Sequence, residues 1–410
     1  MSMPHELPRR RALLARGVAA AIAPGLLAAC ASPIRSPAVP REATLRASVL
    51  GLPNERFFFL SNPQAVDAEF QAAGAREMAW RRLGPRDPLP RTTLLAVSGG
   101  GEDGAFGAGL LCGWSTTGTR PVFNLATGVS TGALTAPFAF LGPEYDPQLR
   151  DVYTGLTLAD VAESRGLISG VLGDGMADTA PLFRTISRHL NEPMLAKLAE
   201  AYDQGRLLLI GTTNLDAQVP VVWNIGAIAK SGDPRALDLI RKILLASAAV
   251  PGAFPPVMID VEVDGRKYQE MHVDGGAFAQ AFLYPPVVGD ARQARRRRGE
   301  RVREVDAYVI RNARLDPNWA AVDRRTLGIV GRAVSTMIFA SGANDVLRMY
   351  ARTQQDGVNF NLAYIGTDFT TELPAPFDQT FMRALFDYGY AQGKRGGDWV
   401  KQPPILRAGG

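Results

Sequence analysis

The sequence predicts an α/β protein built on a central, mostly parallel β-sheet with helices packed against it. Three observations predict this. Short, continuous apolar runs rich in strand-forming residues recur at TTLLAVS (Thr92–Ser98), VFNLATG (Val122–Gly128) and RLLLIGTTN (from Arg206). Strands covered on both faces read as unbroken apolar runs, whereas a half-exposed strand alternates with polar residues. Helical-period stretches separate the runs, the pattern of crossover connections between parallel strands. Finally, 410 residues with 46% hydrophobic and 21% charged side chains are ordinary globular composition, enough for a large core.

The elements follow in order. A first helix is expected over Pro63–Leu83, with Asn62 as cap, proline in the first turn, and Val66, Phe70, Ala73, Met78 and Trp80 on one broad face. PRDPLPR (Pro85–Arg91) ends it, and the Thr92 strand follows. Asp233–Val250 carries Leu237, Ile240, Ile243, Leu244 and Ser247 at helical spacing, with Asp233 capping, Pro234 in first position and Pro251 as the stop. VMIDVEVDGRKYQEMHVDGG reads as a hairpin turning at Asp264-Gly265, its second strand ending at Asp274. A basic loop holding seven arginines from Arg292 to Arg303 comes next, then a strand over Val305–Asn312 and a long helix over about Arg324–Arg352. That loop is read as solvated, with acidic lipid headgroups as the second reading. There is no internal repeat and no coiled coil.

The N-terminus reads as a targeting segment. MSMPHELPRRRALLARG is a basic leader, and the apolar run after it stops just before Cys30, short of the about 20 residues that span a bilayer. Arg9–Arg11 also bear some likeness to a twin-arginine export signal, although a generic basic leader fits as well. LLAAC (Leu26–Cys30) resembles the lipobox of bacterial lipoproteins, which makes Cys30 the expected lipidated residue of the mature chain; an ordinary signal peptide with a chance cysteine is the alternative. Attached acyl chains contribute about 0.8 kcal/mol per buried CH₂, so several would anchor the protein stably. Loss of residues 1–29 would lower the net charge from +5 to +2, so bulk charge gives no case for nucleic acid. Cys112, the other cysteine, follows Leu110 and Leu111 and reads as a small buried hydrophobe. The expected organisation is a signal peptide over 1–29, a tether and extension over 30–60, a helix and linker over 61–91, the main domain over 92–393 and a tail over 394–410.

Three motifs carry chemistry. Gly128-Val129-Ser130-Thr131-Gly132 matches G-x-S-x-G between an expected strand and an expected helix. In such an elbow the serine hydroxyl leaves the sheet on a tight turn, and Gly128 and Gly132 let neighbouring backbone pass. Gly99-Gly100-Gly101, directly after the Thr92 strand, would let several bare N–H groups converge on one point, as an oxyanion hole requires. A flexible turn or a phosphate loop is the alternative, although the Gly-Lys-Ser/Thr ending of a P-loop is absent. Asp274, in MHVDGG, stands where a strand breaks into two glycines; a carboxylate there can serve as base if it reaches the serine and is partly desolvated, or can simply belong to a turn. His272 shares the strand face of Asp274 and is a weaker candidate, and His189 reads as a surface or packing residue.

GGGEDG, GVSTG and DGG in this order resemble the patatin-like phospholipase family, as does ASAAVPGAFPPV (Ala246–Val257) shortly before the Asp-Gly-Gly. The resemblance is strong from about Thr92 to Phe282 and thinner to about Gly393. It implies a three-layer α/β fold and lipid acyl hydrolysis by a Ser-Asp dyad, with Ser130 as nucleophile, Asp274 as base and Gly99, Gly100 and Gly101 as oxyanion donors. No metal or cofactor is expected, since no group of His, Cys, Asp or Glu residues shows a ligand spacing. One departure stands out: the family commonly has Arg or Lys where this chain has Asp103, preceded by Glu102, so either these carboxylates point away from the site or the substrate is less charged than a typical phospholipid. The expected protein is thus an exported, lipid-anchored esterase or phospholipase, with Ala31 after the cysteine pointing to the outer membrane facing the periplasm. An acyltransferase on the same dyad, or an inactive lipid-binding lipoprotein, are the alternatives.

Overall fold

The computed structural model describes residues 35–84, 86–88, 90–164 and 174–406. The leader, Cys30 and the start of the expected tether lie outside the described residues. The strands are β1 (Arg56–Phe57), β2 (Thr92–Val97), β3 (Leu125–Val129), β4 (Glu163–Ser164), β5 (Ala177–Asp178), β6 (Leu207–Asn214), β7 (Val219–Asn224), β8 (Val257–Val263), β9 (Arg266–Asp274), β10 (Val305–Arg311) and β11 (Asn359–Tyr364). Apart from the small β4–β5 pair they form one sheet in the order β1-β7-β6-β3-β2-β10-β11, with β9 also on β6 and β8 on β9. The pairs from β6 through β3, β2 and β10 to β11 are all parallel, while β1, β7, β8 and β9 are antiparallel additions.

Helices cover both faces, giving three layers. They are α1 (Pro63–Trp80), α2 (Gly104–Ser115), α3 (Thr131–Leu141), α4 (Asp146–Gly155), α5 (Leu158–Val161), α6 (Ala180–His189), α7 (Glu192–Asp203), α8 (Ile225–Lys230), α9 (Ala236–Ser247), α10 (Pro286–Arg297), α11 (Thr326–Asp356) and α12 (Gln379–Lys394). Strand alternation assigns the faces. Leu95 and Val97 join a core with Phe106, Leu110, Ala133, Leu149, Ile186 and Ile240, under α2, α3, α4, α6 and α9. Leu94 and Ala96 join the opposite core with Val66 of α1 and Val346 and Met349 of α11.

The expected strands and the hairpin form close to their predicted bounds, with Asp264 and Gly265 both at positive φ in the turn (50° and 77°). Other expectations change. Arg292–Arg297 lie not in a loop but on α10, and two of these charges are used at home: Arg292 Nε donates to the Asp356 carbonyl at 3.0 Å and Arg296 Nη1 to the same oxygen at 3.3 Å, at the C-terminus of α11, where a cation is favoured. The buried face of α1 is Val66, Glu69, Ala73 and Glu77, whereas Trp80 is exposed. The two glutamates are tolerated because they are paired, Glu69 with Arg76, Tyr202 and Asn54, and Glu77 with Arg81 and Arg303. The α9 helix begins at Ala236, since Asp233 caps the preceding turn by accepting the Arg235 amide at 2.8 Å.

Residues 35–57 are not a free tether. Arg35 forms a fork-to-fork pair with Asp216 at 2.8 Å, Ser48 exchanges backbone bonds with Glu262, and Arg56–Phe57 pair with β7. Nor is the C-terminal segment loose, because Leu362 and Val400 exchange backbone bonds at 2.9 Å and Trp399 stacks near Trp114 and Tyr308.

Candidate active site

Sheet register brings the candidate dyad together. On β6, Gly211 pairs with Val129 of β3, and the next residue, Thr212, pairs with Asp274 of β9. The upper half of β6 therefore exchanges one partner for another where β3 ends, and Asp274 arrives beside the residue that follows Val129. That residue is Ser130, at φ 56° and ψ −130°, a conformation a serine adopts only when its surroundings enforce it.

Close packing enforces it. A Cβ on Gly128 would lie 2.4 Å from the Gly132 carbonyl oxygen, and one on Gly132 would lie 2.2 Å from that of Val97, so neither position of the elbow admits a side chain. The Ser130 amide donates to Ser247 Oγ at 3.0 Å, and that hydroxyl donates to the Gly211 carbonyl at 2.7 Å. Ser247, at the end of α9, thus clamps the turn to β6.

Asp274 is buried. Its Oδ1 accepts the Gly276 amide at 2.7 Å, and its Oδ2 is out of water without a hydrogen-bond partner. Desolvation pushes its pKa up to about 6, against the opposing effects of the Ser130 hydroxyl and the Gly276 amide. The Ser130 hydroxyl is thus near enough to the carboxyl to favour its ionised form. If Asp274 serves as base, kcat/KM falls as pH drops through about 6 because the carboxylate must be ionised to accept a proton. A pH–rate profile on a soluble ester measures this, and a flat profile from pH 5 to 8, on either side of that value, would remove Asp274 from the role.

The glycine loop corrects one expectation. The Gly99 amide donates to the Gln280 carbonyl at 3.0 Å, so it is spent and cannot serve an oxyanion. Gly99 is needed for space instead, since a Cβ there would come within 3.0 Å of both Ser130 Cβ and Gln280 Oε1. Among the described residues the Gly100 and Gly101 amides have no acceptor. Gly101 takes φ 58° and borders the cavity at Ser130. Gly100 lies against the Asn312 carbonyl, where a Cβ would come to 2.1 Å. Asn312 pins the loop by donating from Nδ2 to the Ser98 carbonyl at 2.9 Å and accepting the Gly107 amide on Oδ1 at 3.1 Å. The later glycines of the stretch serve helix packing, since a Cβ on Gly109 would lie 2.0 Å from the Phe386 carbonyl oxygen of α12.

The acidic pair divides. Glu102 borders the cavity, whereas Asp103 does not. Desolvation and the Glu102 charge push Asp103 up to about 7, opposed by the Arg311 and Arg314 guanidiniums. Arg311 is buried behind the loop, 3.4 Å from the Gly99 carbonyl and 3.3 Å from Ser98 Oγ. Sequence reading missed Ser247, Gln280, Arg311 and Asn312. The Arg-Asn pair closing the Val305 strand, at the sheet edge that carries the glycine loop, was the available signal.

His272 has a structural task. Trp223 Nε1–H donates to Thr212 Oγ1 at 2.9 Å, the Thr212 hydroxyl meets His272 Nδ1 at 2.9 Å, and His272 Nε2 meets Glu270 at 3.1 Å. Both ring nitrogens are engaged, and burial lowers the pKa of the ring, so it is held neutral. His189 is half-buried, its ring edge-on to Phe138 at 5.9 Å. Cys112 is buried, and desolvation pushes its thiol up to about 12.

Ser130 opens into a cavity of about 450 Å³ whose other walls are apolar, among them Leu134, Val152, Leu182, Phe254, Phe377 and Met382. An apolar pocket with its few polar groups at one end suits a ligand with an apolar chain and one reactive polar group. Among the described residues no cluster of three or more His, Cys, Asp or Glu could hold a metal ion.

The fold and site define a three-layer α/β domain with a strained serine at a strand-to-helix elbow. Residues 95–286 match the family model of patatin-like phospholipases, so the chain carries a patatin-like phospholipase domain over that segment. No curated protein sequence matches the chain. Among solved structures, VipD from Legionella pneumophila is similar at 13% identity and a TM-score of 0.35, over 77% of this chain and 68% of that one.

Proposed function

We propose that the protein hydrolyses carboxylic esters of lipids through an acyl-enzyme. Asp274 takes the proton of Ser130 as its oxygen attacks the acyl carbonyl, and the Gly100 and Gly101 amides hold the resulting oxyanion. Collapse expels the alcohol, which receives the proton from Asp274. A water deprotonated by Asp274 then adds to the acyl-serine, and collapse releases the fatty acid as Asp274 returns the proton to Ser130 Oγ. The observation that carries this reading is the shared register on β6, with Val129 and Asp274 opposite consecutive residues, next to Ser130, which borders an apolar cavity. Glu102 on the cavity wall favours a neutral or zwitterionic ester over an anionic one. Cys30 is the proposed lipid anchor, which would hold the chain at the outer membrane facing the periplasm.

A fluorophosphonate probe tests the nucleophile. The natural chain is expected to be labelled and Ser130→Ala not; equal labelling of the two chains would end the assignment.

A further inference from the structure

The first half of α11 stands clear of the body. The helix first meets the body closely at Gly342, which packs against the Arg311 guanidinium, and is buried from there through Val346 and Met349. From Thr326 to Ala340 nearly every residue whose burial is described is exposed, a projection of roughly 22 Å at 1.5 Å per residue.

The projecting part is amphipathic in the wrong sense for a soluble helix. Ile329, Val330, Val334, Met337 and Ile338 recur at the spacing of one helix face and are 53%, 53%, 47%, 67% and 40% exposed. Arg332, Ser335 and Thr336 lie on the other side, and Arg332 turns back to the Asn318 carbonyl. The segment leading into the helix adds Trp319, at 88% exposure, and Val322, at 43%. Contiguous apolar surface of this kind is rare on a soluble monomer.

Charge and position choose the occupant. Across residues 319–344 the chain carries Arg324, Arg325 and Arg332 against the single acid Asp323, a net charge of +2, and Arg324 and Arg325 are exposed at the helix start. Cations beside an apolar helix face suit an anionic lipid surface. The root of the helix sits at the end of the sheet where Ser130 lies: the helix follows the C-terminal end of β10, and Asp345 accepts the Gln280 amide at 2.6 Å, the residue whose carbonyl receives Gly99. Among the described residues no helix is long and apolar enough to cross a membrane, so this one would lie in the interface.

We propose that residues 319–340 dock the protein onto a bilayer, with Met337 and its neighbours among the acyl chains, Arg324 and Arg325 at the headgroups, and the catalytic edge of the sheet facing the lipid. Only the purpose of the docking rests on the hydrolase reading; the docking itself is measured apart from it.

The test uses the full chain with Cys30→Ser, so that no acyl group can be attached there, and with buried Cys112 left in place. An environment-sensitive fluorophore is placed on Met337→Cys in one arm and on Ser335→Cys in another. With vesicles of phosphatidylcholine and phosphatidylglycerol in equal parts, the Met337 probe is expected to shift to the blue, brighten several-fold and be quenched by nitroxide-bearing lipids, while the Ser335 probe changes far less. Arg324→Glu with Arg325→Glu should weaken the response about tenfold or more, given about 1 kcal/mol for each basic residue near an anionic surface. A Met337 probe that keeps its aqueous emission on vesicle-bound protein would overturn the inference, as would a shift driven by protein concentration alone, which marks a second copy as the occupant. A Ser130→Ala arm separates the two readings: insertion without hydrolysis keeps the docking surface whatever becomes of the nucleophile.

Discussion

Asp274→Asn is expected to lower kcat/KM for ester hydrolysis by roughly three to four orders of magnitude while leaving the protein folded, the size of loss typical of removing a member of a catalytic unit. Asparagine keeps the shape and can still accept the Gly276 amide, but it cannot take a proton from Ser130. On the proposed mechanism the two residues would act on one proton, so Ser130→Ala with Asp274→Asn should be no slower than the worse single variant. Stability moves the other way. Folding raises the Asp274 pKa to about 6, so the native state favours the protonated form, and its stability contribution is lost as pH rises from the unfolded value through about 6. At pH 7 the natural chain therefore carries a buried charge that asparagine removes, and the variant should gain about 1–3 kcal/mol. Single-turnover kinetics and urea denaturation read the two effects. Activity within tenfold of the natural chain, or a double variant much slower than either single one, would refute the dyad.

Arg56→Met is expected to destabilise the fold by about 3–5 kcal/mol, the usual cost of orphaning one member of a buried ion pair. Arg56 Nη1 meets Glu270 at 2.5 Å, and both side chains are almost wholly out of water, at 3% and 1% exposure. Desolvation pushes against the Glu270 charge, but the Arg56 guanidinium and His272 outweigh it and hold the carboxyl at about 2. The stability from this shift is present above the ordinary glutamate range and is lost as pH falls toward about 2. Without Arg56 the carboxylate would be stranded beside His272 and Trp223, and the deficit should shrink in acid as Glu270 takes up a proton. Urea titrations at neutral and acidic pH measure this, and a neutral-pH loss below about 1 kcal/mol would show that the pair is not structural.

These two sites differ in how they could be read beforehand. The Ser130 elbow and the glycine run announce themselves, because a turn that excludes side chains must be written in glycine and a nucleophile at its apex must be a hydroxyl or thiol. Asp274 was visible for a similar reason, as a carboxylate at the point where β9 breaks into glycines. The Arg56–Glu270–His272 network was not visible, since its members come from β1 and β9 and nothing local distinguishes a buried arginine from a surface one. Gly99 misled in the opposite direction: three glycines look alike in sequence, and only the Gln280 carbonyl shows which amide is spent.

By itself, the sequence determined the α/β class, the strand-to-helix elbow at Ser130, the hairpin at Asp264-Gly265 and the chemical character of the site. Each depends on periodicity or on backbone freedom within a few residues. The tertiary structure alone decided that Asp274 lies beside Ser130, because that depends on β6 trading β3 for β9 at one residue step. It also decided that Arg292 and Arg296 hold the end of α11, and that the apolar face of α11 points away from the core. Pairing register and burial are set by partners far along the chain, and local pattern carries no record of them.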